Sequence, residues 1–94
     1  MAFSVIISDN ADQQITEAFL WYEERGKGSE FMDELYKILN LIERNPKLFP
    51  IDFDEYRKAT VKRFPYLVIY FTANNDVVIT SVFHTSRNPS NKIP

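Results

Sequence analysis

Apolar and polar positions along the chain change period several times, and each change marks an element. Phe3-Ser4-Val5-Ile6-Ile7-Ser8 alternates in part and is rich in β-branched residues, which predicts a first strand. From Ala11 the period lengthens. Ala11, Ile15, Ala18, Phe19 and Tyr22 recur at helical spacing over residues 11–25, leaving Glu17, Glu23 and Glu24 for solvent. Asp9 or Asn10 is placed to cap this helix, and Asn10 with Gln13 has the spacing of a capping box. Gly26-Lys27-Gly28 holds both glycines of the chain and breaks the pattern. A second stripe, Phe31, Leu35, Ile38, Leu39 and Ile42, predicts a helix over about residues 29–44. Asn45-Pro46 ends it, because proline disfavours helical geometry in the residue before it. So short a connection folds the two helices into an antiparallel hairpin, whose stripes need a sheet to cover.

The second half has the period of strands. Residues 47–55 read as a loop containing Pro50 and three acids. Residues 56–63 alternate, with Arg57, Ala59, Val61 and Arg63 on one side and Tyr56, Lys58, Thr60 and Lys62 on the other. Residues 64–71 are apolar on both faces, as a central strand requires. Asn74-Asn75-Asp76 supplies a hairpin turn, and residues 77–84 complete a meander. The expected fold class is α+β, in the order β-αα-βββ: an antiparallel sheet with an N-terminal αα-hairpin on one face and the opposite face open. No repeat, linker or low-complexity segment divides residues 1–94, so a single domain is expected, with a polar tail loose from about residue 90.

Composition narrows the function classes. The chain of 94 residues has no cysteine, which removes a disulfide framework and thiolate metal sites. With one histidine and scattered carboxylates, no metal-ligand spacing arises, and no glycine-rich phosphate loop is present. No cofactor is therefore expected. Neither a signal peptide nor an apolar run long enough for a membrane span is visible, so the cytoplasm is the expected location. The net charge of −2 conceals a division: residues 1–55 hold twelve acids and five bases, whereas residues 56–94 hold six bases and one acid. An acidic protein is a poor nonspecific binder of polyanions, but a local basic face can meet an acidic partner or a phosphate.

The candidates for chemistry cluster late in the chain. His84, the only histidine, lies at a strand end, with Arg87 three residues on. Cleavage of a phosphodiester needs a proton donor and acceptor, with cations for the developing charge; His84, Arg87, Arg57, Lys62 and Tyr66 supply those types if they converge. The same residues serve binding equally well. A sheet face rimmed by Arg57, Lys58, Lys62, Arg63 and Arg87 suits an extended acidic segment, or a strand edge suits augmentation. Trp21 and Tyr22 read mainly as packing, with a partner surface as the other use.

Read in order, several segments resemble the RelE/ParE superfamily of toxins from type II toxin–antitoxin (plasmid stabilization) systems. Ala18-Phe19-Leu20-Trp21-Tyr22-Glu23 is similar to its A-x-x-W-Y-E helix. Phe31-Met32-Asp33-Glu34-Leu35, then Ile42 through Asn45-Pro46-Lys47-Leu48-Phe49-Pro50, resembles its F-x-x-E-L…I-x-x-N-P-x-x-F-P segment. Tyr56-Arg57-Lys58-Ala59, Arg63-Phe64-Pro65-Tyr66 and Val82-Phe83-His84-Thr85-Ser86-Arg87-Asn88-Pro89 resemble its strands and its V-x-H-x-x-R-x-P ending. The resemblance covers about residues 3–89. It implies a growth-inhibiting toxin neutralised by a cognate antitoxin that wraps it, with antitoxin or target contacts at Arg57, Lys58, Lys62, Arg63, Tyr66 and Arg87. Ribosome-dependent mRNA-cleaving members commonly carry an arginine where this chain has Leu67, and tend to be strongly basic. Both departures point to the ParE side, whose characterised members inhibit DNA gyrase without cleaving RNA. An mRNA endoribonuclease using His84, Arg87, Arg57 and Lys62 is the alternative, and an inactive or repurposed relative a further one. The pattern does not specify an oligomeric state.

Overall fold

Residues 3–85 are described by the computed structural model. In chain order they form strand β1 (Ser4–Ile7), helices α1 (Asp9–Glu23) and α2 (Gly28–Arg44), a short 3-10 turn (Pro46–Leu48), and strands β2 (Ile51–Phe53), β3 (Tyr56–Thr60), β4 (Tyr66–Ala73) and β5 (Asp76–His84). The strands make one sheet in the order β1-β5-β4-β3-β2. The α+β class and the helical hairpin on the sheet are as the periodicity predicts. The sheet, however, is mixed and five-stranded. Strand β1 runs parallel to β5, with Val5 opposite Val77 and Ile7 opposite Ile79, and the hairpin carries the chain over the sheet from β1 at one edge to β2 at the other.

Both helices form where their stripes lie, but α1 starts earlier than expected. Ser8 is its N-cap: its hydroxyl accepts from the Ala11 N–H at 3.1 Å and donates to the Thr80 carbonyl at 3.2 Å. Asp9 and Asn10, expected as caps, are instead the first helical residues. The reason is tertiary. The Ser8 N–H still pairs with Ile79 at the end of β1, so the chain turns directly from strand to helix. Asn10 is thereby released to reach β5. At the other end of α1, Gly26 takes the left-handed conformation (φ 73°) and the Lys27 N–H returns to the Tyr22 carbonyl at 2.8 Å. Gly28 serves a different purpose. A Cβ there would lie 2.9 Å from a Phe19 ring carbon and 3.2 Å from the Glu23 Cα, so its absence lets the helices close.

The remaining differences lie between α2 and β4. The expected loop over 47–55 contains the 3-10 turn and strand β2. Three residues are too few to show a period; β2 exists because Ile51 pairs with Arg57, Phe53 with Tyr56, and Phe53 stacks on Tyr56 at 5.0 Å. The strand expected over 56–63 stops at Thr60. The Val61 N–H bonds the Tyr66 carbonyl and Arg63 turns left-handed (φ 71°), so residues 62–65 form the link to β4. Alternation along β3 and β4 then sorts the faces. Ala59, Val61, Val68, Tyr70, Val77, Ile79 and Val82 join Ala11, Ile15, Ala18, Phe31, Leu35 and Ile42 in the core beneath the helices. A bulge at Thr80 pairs Tyr70 with Ile79 but Ile69 with Ser81, so Ile79 and Val82 both face the helices. Ile6, Tyr56, Leu67, Phe71 and Val78 occupy the opposite face.

Candidate functional site

Strand β5 delivers His84 to one end of the sheet. It pairs with Tyr66, and the two rings meet edge to face at 5.3 Å. Tyr66 is itself buried, held in an aromatic group with Tyr22, Phe31 and Phe64 at centroid distances of 4.9–6.0 Å. The Thr85 N–H donates to the Pro65 carbonyl at 2.8 Å, which ties the end of β5 to the turn that precedes β4. Lys62 and Arg63 stand on that turn. His84, Tyr66, Lys62 and Arg63 therefore share an end of the molecule. Arg87 lies outside the described residues, as does the tail beyond it.

Arg57 is elsewhere. It pairs with Tyr70, four residues along β4 from Tyr66, which separates it from His84 by about 13 Å along the strands alone. Its guanidinium donates to the Phe49 carbonyl at 2.7 Å, while the Tyr70 hydroxyl donates to the Pro46 carbonyl at 2.6 Å. Together they fasten the segment after α2 to the sheet. Burial pushes the Tyr70 hydroxyl from its ordinary 10.0 up to about 12, against the opposing pull of the Arg57 charge.

Two more of the candidate cations have partners within the fold. Lys58 meets Asp52 at 3.4 Å across β2 and β3. Arg63 reaches Glu34 at 3.4 Å and Glu30 at 3.9 Å, and Lys37 meets the same Glu34 at 3.4 Å. Glu34, with its side chain only 7% exposed, is the buried centre of that group and binds the β3–β4 turn to α2. A carboxylate removed from water requires such partners. Lys62 is exposed and makes no ion pair among the described residues. Of the basic residues expected to rim the sheet, Arg57, Lys58 and Arg63 thus have partners within the fold, Arg63 with its side chain still 62% exposed, and Lys62 is a further exposed cation.

Three features escaped the sequence reading. Beyond Ile79, β5 has no strand on its outer side among the described residues, because β1 pairs only with positions 76–79. Side chains of α1 take over there: the Asn10 amide donates to the Thr80 carbonyl at 3.0 Å, and the Gln14 carbonyl oxygen accepts from the Val82 N–H at 2.7 Å. Nearer the end of α1, the Arg25 guanidinium lies 3.4 Å from the Trp21 ring centroid. Leu20 beside it is exposed. Lastly, α1, α2 and the end of β1 border a groove of about 240 Å³. Ile7, Ile15, Phe19, Met32, Leu35 and Leu39 line it, with Asp12, Thr16 and Tyr36 as its polar members. Met32 and Tyr36 sit beside the core stripe of α2, and apolar residues widening a stripe were the available signal.

The chain can now be set beside known proteins. The family model described as ParE toxin of type II toxin–antitoxin system, parDE, matches residues 5–89. In fold the chain is similar to a solved structure of the chromosomal ParDE TA system from P. aeruginosa, with a TM-score of 0.76 and 11% identity over 87% of this chain and 95% of that one. It is also similar to the YoeB dimer from Staphylococcus aureus, with a TM-score of 0.59 and 18% identity over 87% of this chain and 97% of that one. No curated protein matches the chain in sequence. At those identities the two structures speak to the fold. The family match extends from within β1 to beyond β5, and the chain belongs to the ParE family of toxins of type II toxin–antitoxin systems.

Proposed function

We propose that this ParE toxin arrests growth by binding a cellular protein, with DNA gyrase as the candidate target, and that a cognate antitoxin neutralises it in the cytoplasm. The observation that carries this reading is the dispersal of the catalytic candidates. Arg57 is about 13 Å from His84 along the sheet, and its guanidinium is engaged with the Phe49 carbonyl. General acid–base cleavage requires its donor, acceptor and cations within hydrogen-bond reach of one phosphate. Leu67, an apolar residue between Thr60 and Phe83 in the sheet, supports the same reading, since it stands where RNA-cleaving relatives commonly carry arginine.

An mRNA endoribonuclease is the second reading, because His84 and Lys62 do share an end of the sheet. One preparation decides between them. Supercoiling by gyrase is expected to fall in proportion to added toxin, while ribosome-programmed mRNA stays intact and the His84→Ala variant inhibits as well as wild type. Codon-positioned cuts that disappear in His84→Ala would overturn the proposal. Growth arrest on induction, relieved by co-expression of the adjacent small gene, tests the toxin–antitoxin pairing itself.

A further inference from the structure

The edges of the sheet are not protected alike. On one side β2 is short, follows Pro50, carries Asp52 and loses register against β3 between Ile51 and Phe53. Brevity, charge, proline and a bulge all discourage an edge from pairing with another chain. The stretch of β5 beyond Ile79 is covered instead, by the Asn10 and Gln14 side chains on its Thr80 carbonyl and Val82 N–H. Strand β1 has none of these devices. Phe3-Ser4-Val5-Ile6-Ile7-Ser8 contains no charge and no proline, and β1 pairs with β5 without a shift. It has no strand on its outer side among the described residues, and Ile6 is 46% exposed.

The hydrogen bonds of β1 define what is left open. The Ser4 and Ser8 N–H groups donate toward β5, to the Asn75 and Ile79 carbonyls at 2.9 and 3.0 Å. Backbone direction alternates along a strand, so Ile6 also faces β5, while Val5 and Ile7 turn their N–H and C=O outward. Phe3 turns outward too, but its N–H meets the Glu43 carbonyl near the end of α2 at 3.5 Å. The open stretch is therefore Val5 to Ile7, and it is complementary to itself. Laid antiparallel to a copy about a two-fold axis at Ile6, Val5 stands opposite Ile7 of the copy and exchanges both hydrogen bonds with it. The two Ile6 side chains then form the close pair between those bonds, on the sheet face away from the helices.

We propose that β1 is a dimerisation edge whose partner is a second copy of this chain, the two sheets joining into one with both helical hairpins on the same face. Charge supports that choice of occupant. The axis brings the end of α2, held beside Phe3, toward the start of α1 in the other copy. Arg44 in the last turn of α2 and Asp9 in the first turn of α1 are exposed, and neither has an ion pair among the described residues. Symmetry makes that contact of opposite charges twice. The open stretch is short, so the association is reversible and depends on concentration.

The chain has no cysteine of its own, so Ile6→Cys and Ser4→Cys each place a single thiol on the same face of β1. In the two-fold register position 6 faces itself, whereas the two copies of position 4 lie about 13 Å apart along the strands. Mild oxidation of the full-length chain is expected to link most of Ile6→Cys into a disulfide dimer, with roughly tenfold less from Ser4→Cys. Sedimentation of the wild-type chain should show a monomer–dimer equilibrium that Ile6→Lys weakens by roughly tenfold or more. Asp9→Arg and Arg44→Asp should each weaken it, and the two together restore it. Melting curves establish that each variant is folded; should Ile6→Lys fail to fold, the two cysteine variants decide. A wild-type chain that stays monomeric at its highest soluble concentration overturns the proposal. So do equal linking at positions 4 and 6, a dimer indifferent to Ile6→Lys, and charge reversals without mutual rescue.

Discussion

The two ends of the helical hairpin use the same helices in opposite ways. At the turn end, Tyr22, Phe31, Phe64 and Tyr66 close on one another, with Tyr22 stacked on Phe31 at 5.2 Å and Phe64 meeting Tyr22 edge-on at 4.9 Å. Gly28 allows the close approach by presenting no Cβ to Phe19. Toward the other end, Ile7, Phe19, Met32 and Tyr36 border a groove. Phe31 is fully buried while Tyr36, little more than a turn later, is 56% exposed. Apolar surface in the closed end stabilises the fold; apolar surface around the groove stays partly exposed, Ile7 at 39%.

Substitutions can break this contrast or sharpen it. Phe31→Ala should carry the largest cost, about 3–5 kcal/mol, because it removes a ring that touches three others. Denaturant titration measures it, and a loss below about 1 kcal/mol would remove the distinction between the ends. Gly28→Ala should cost about 1–3 kcal/mol, since its new methyl meets the Phe19 ring and the Glu23 backbone. An unchanged midpoint would show that the helix approach is not tight.

Tyr70→Phe comes next, at about 1–2 kcal/mol, for the lost hydrogen bond and the Pro46 carbonyl left without it. It also has a pH signature. The Tyr70 hydroxyl titrates at about 12 in the fold against an ordinary 10.0, so its stabilisation is full below pH 10 and is lost as pH rises toward 12. Wild type should lose stability over that window more steeply than Tyr70→Phe; parallel profiles would refute the assignment. The smallest effect belongs to the groove. Tyr36→Ala should change stability by no more than about 0.5 kcal/mol, and a large loss of stability would place Tyr36 in the core instead.

The candidate site was only partly legible in advance. The residue types at that end were visible as two short runs, Lys62 to Tyr66 and the end of β5, and the pairing of β4 with β5 places His84, Tyr66 and Lys62 at one end. The position of Arg57 depended on strand register, which a list of cations along a chain does not contain. Its Phe49 partner is a backbone carbonyl, which has no sequence signature. Asn10 was read as a cap and Gln14 was not singled out, yet both reach the backbone of β5 across some 70 positions.

Local periodicity by itself determined the two helices, the hairpin between them, the Asn45-Pro46 stop and the strands flanking Asn74-Asn75, because each of these signals is complete within one or two turns of chain. Family resemblance, which rests on motif order, determined the class of toxin in the same way. Tertiary structure alone decided the parallel seat of β1, the existence of β2, the cap at Ser8, the partners of Arg57 and Arg63, and the groove. Each of those depends on which distant residues meet, and the energy of a long-range contact is absent from the pattern until the chain has closed around it.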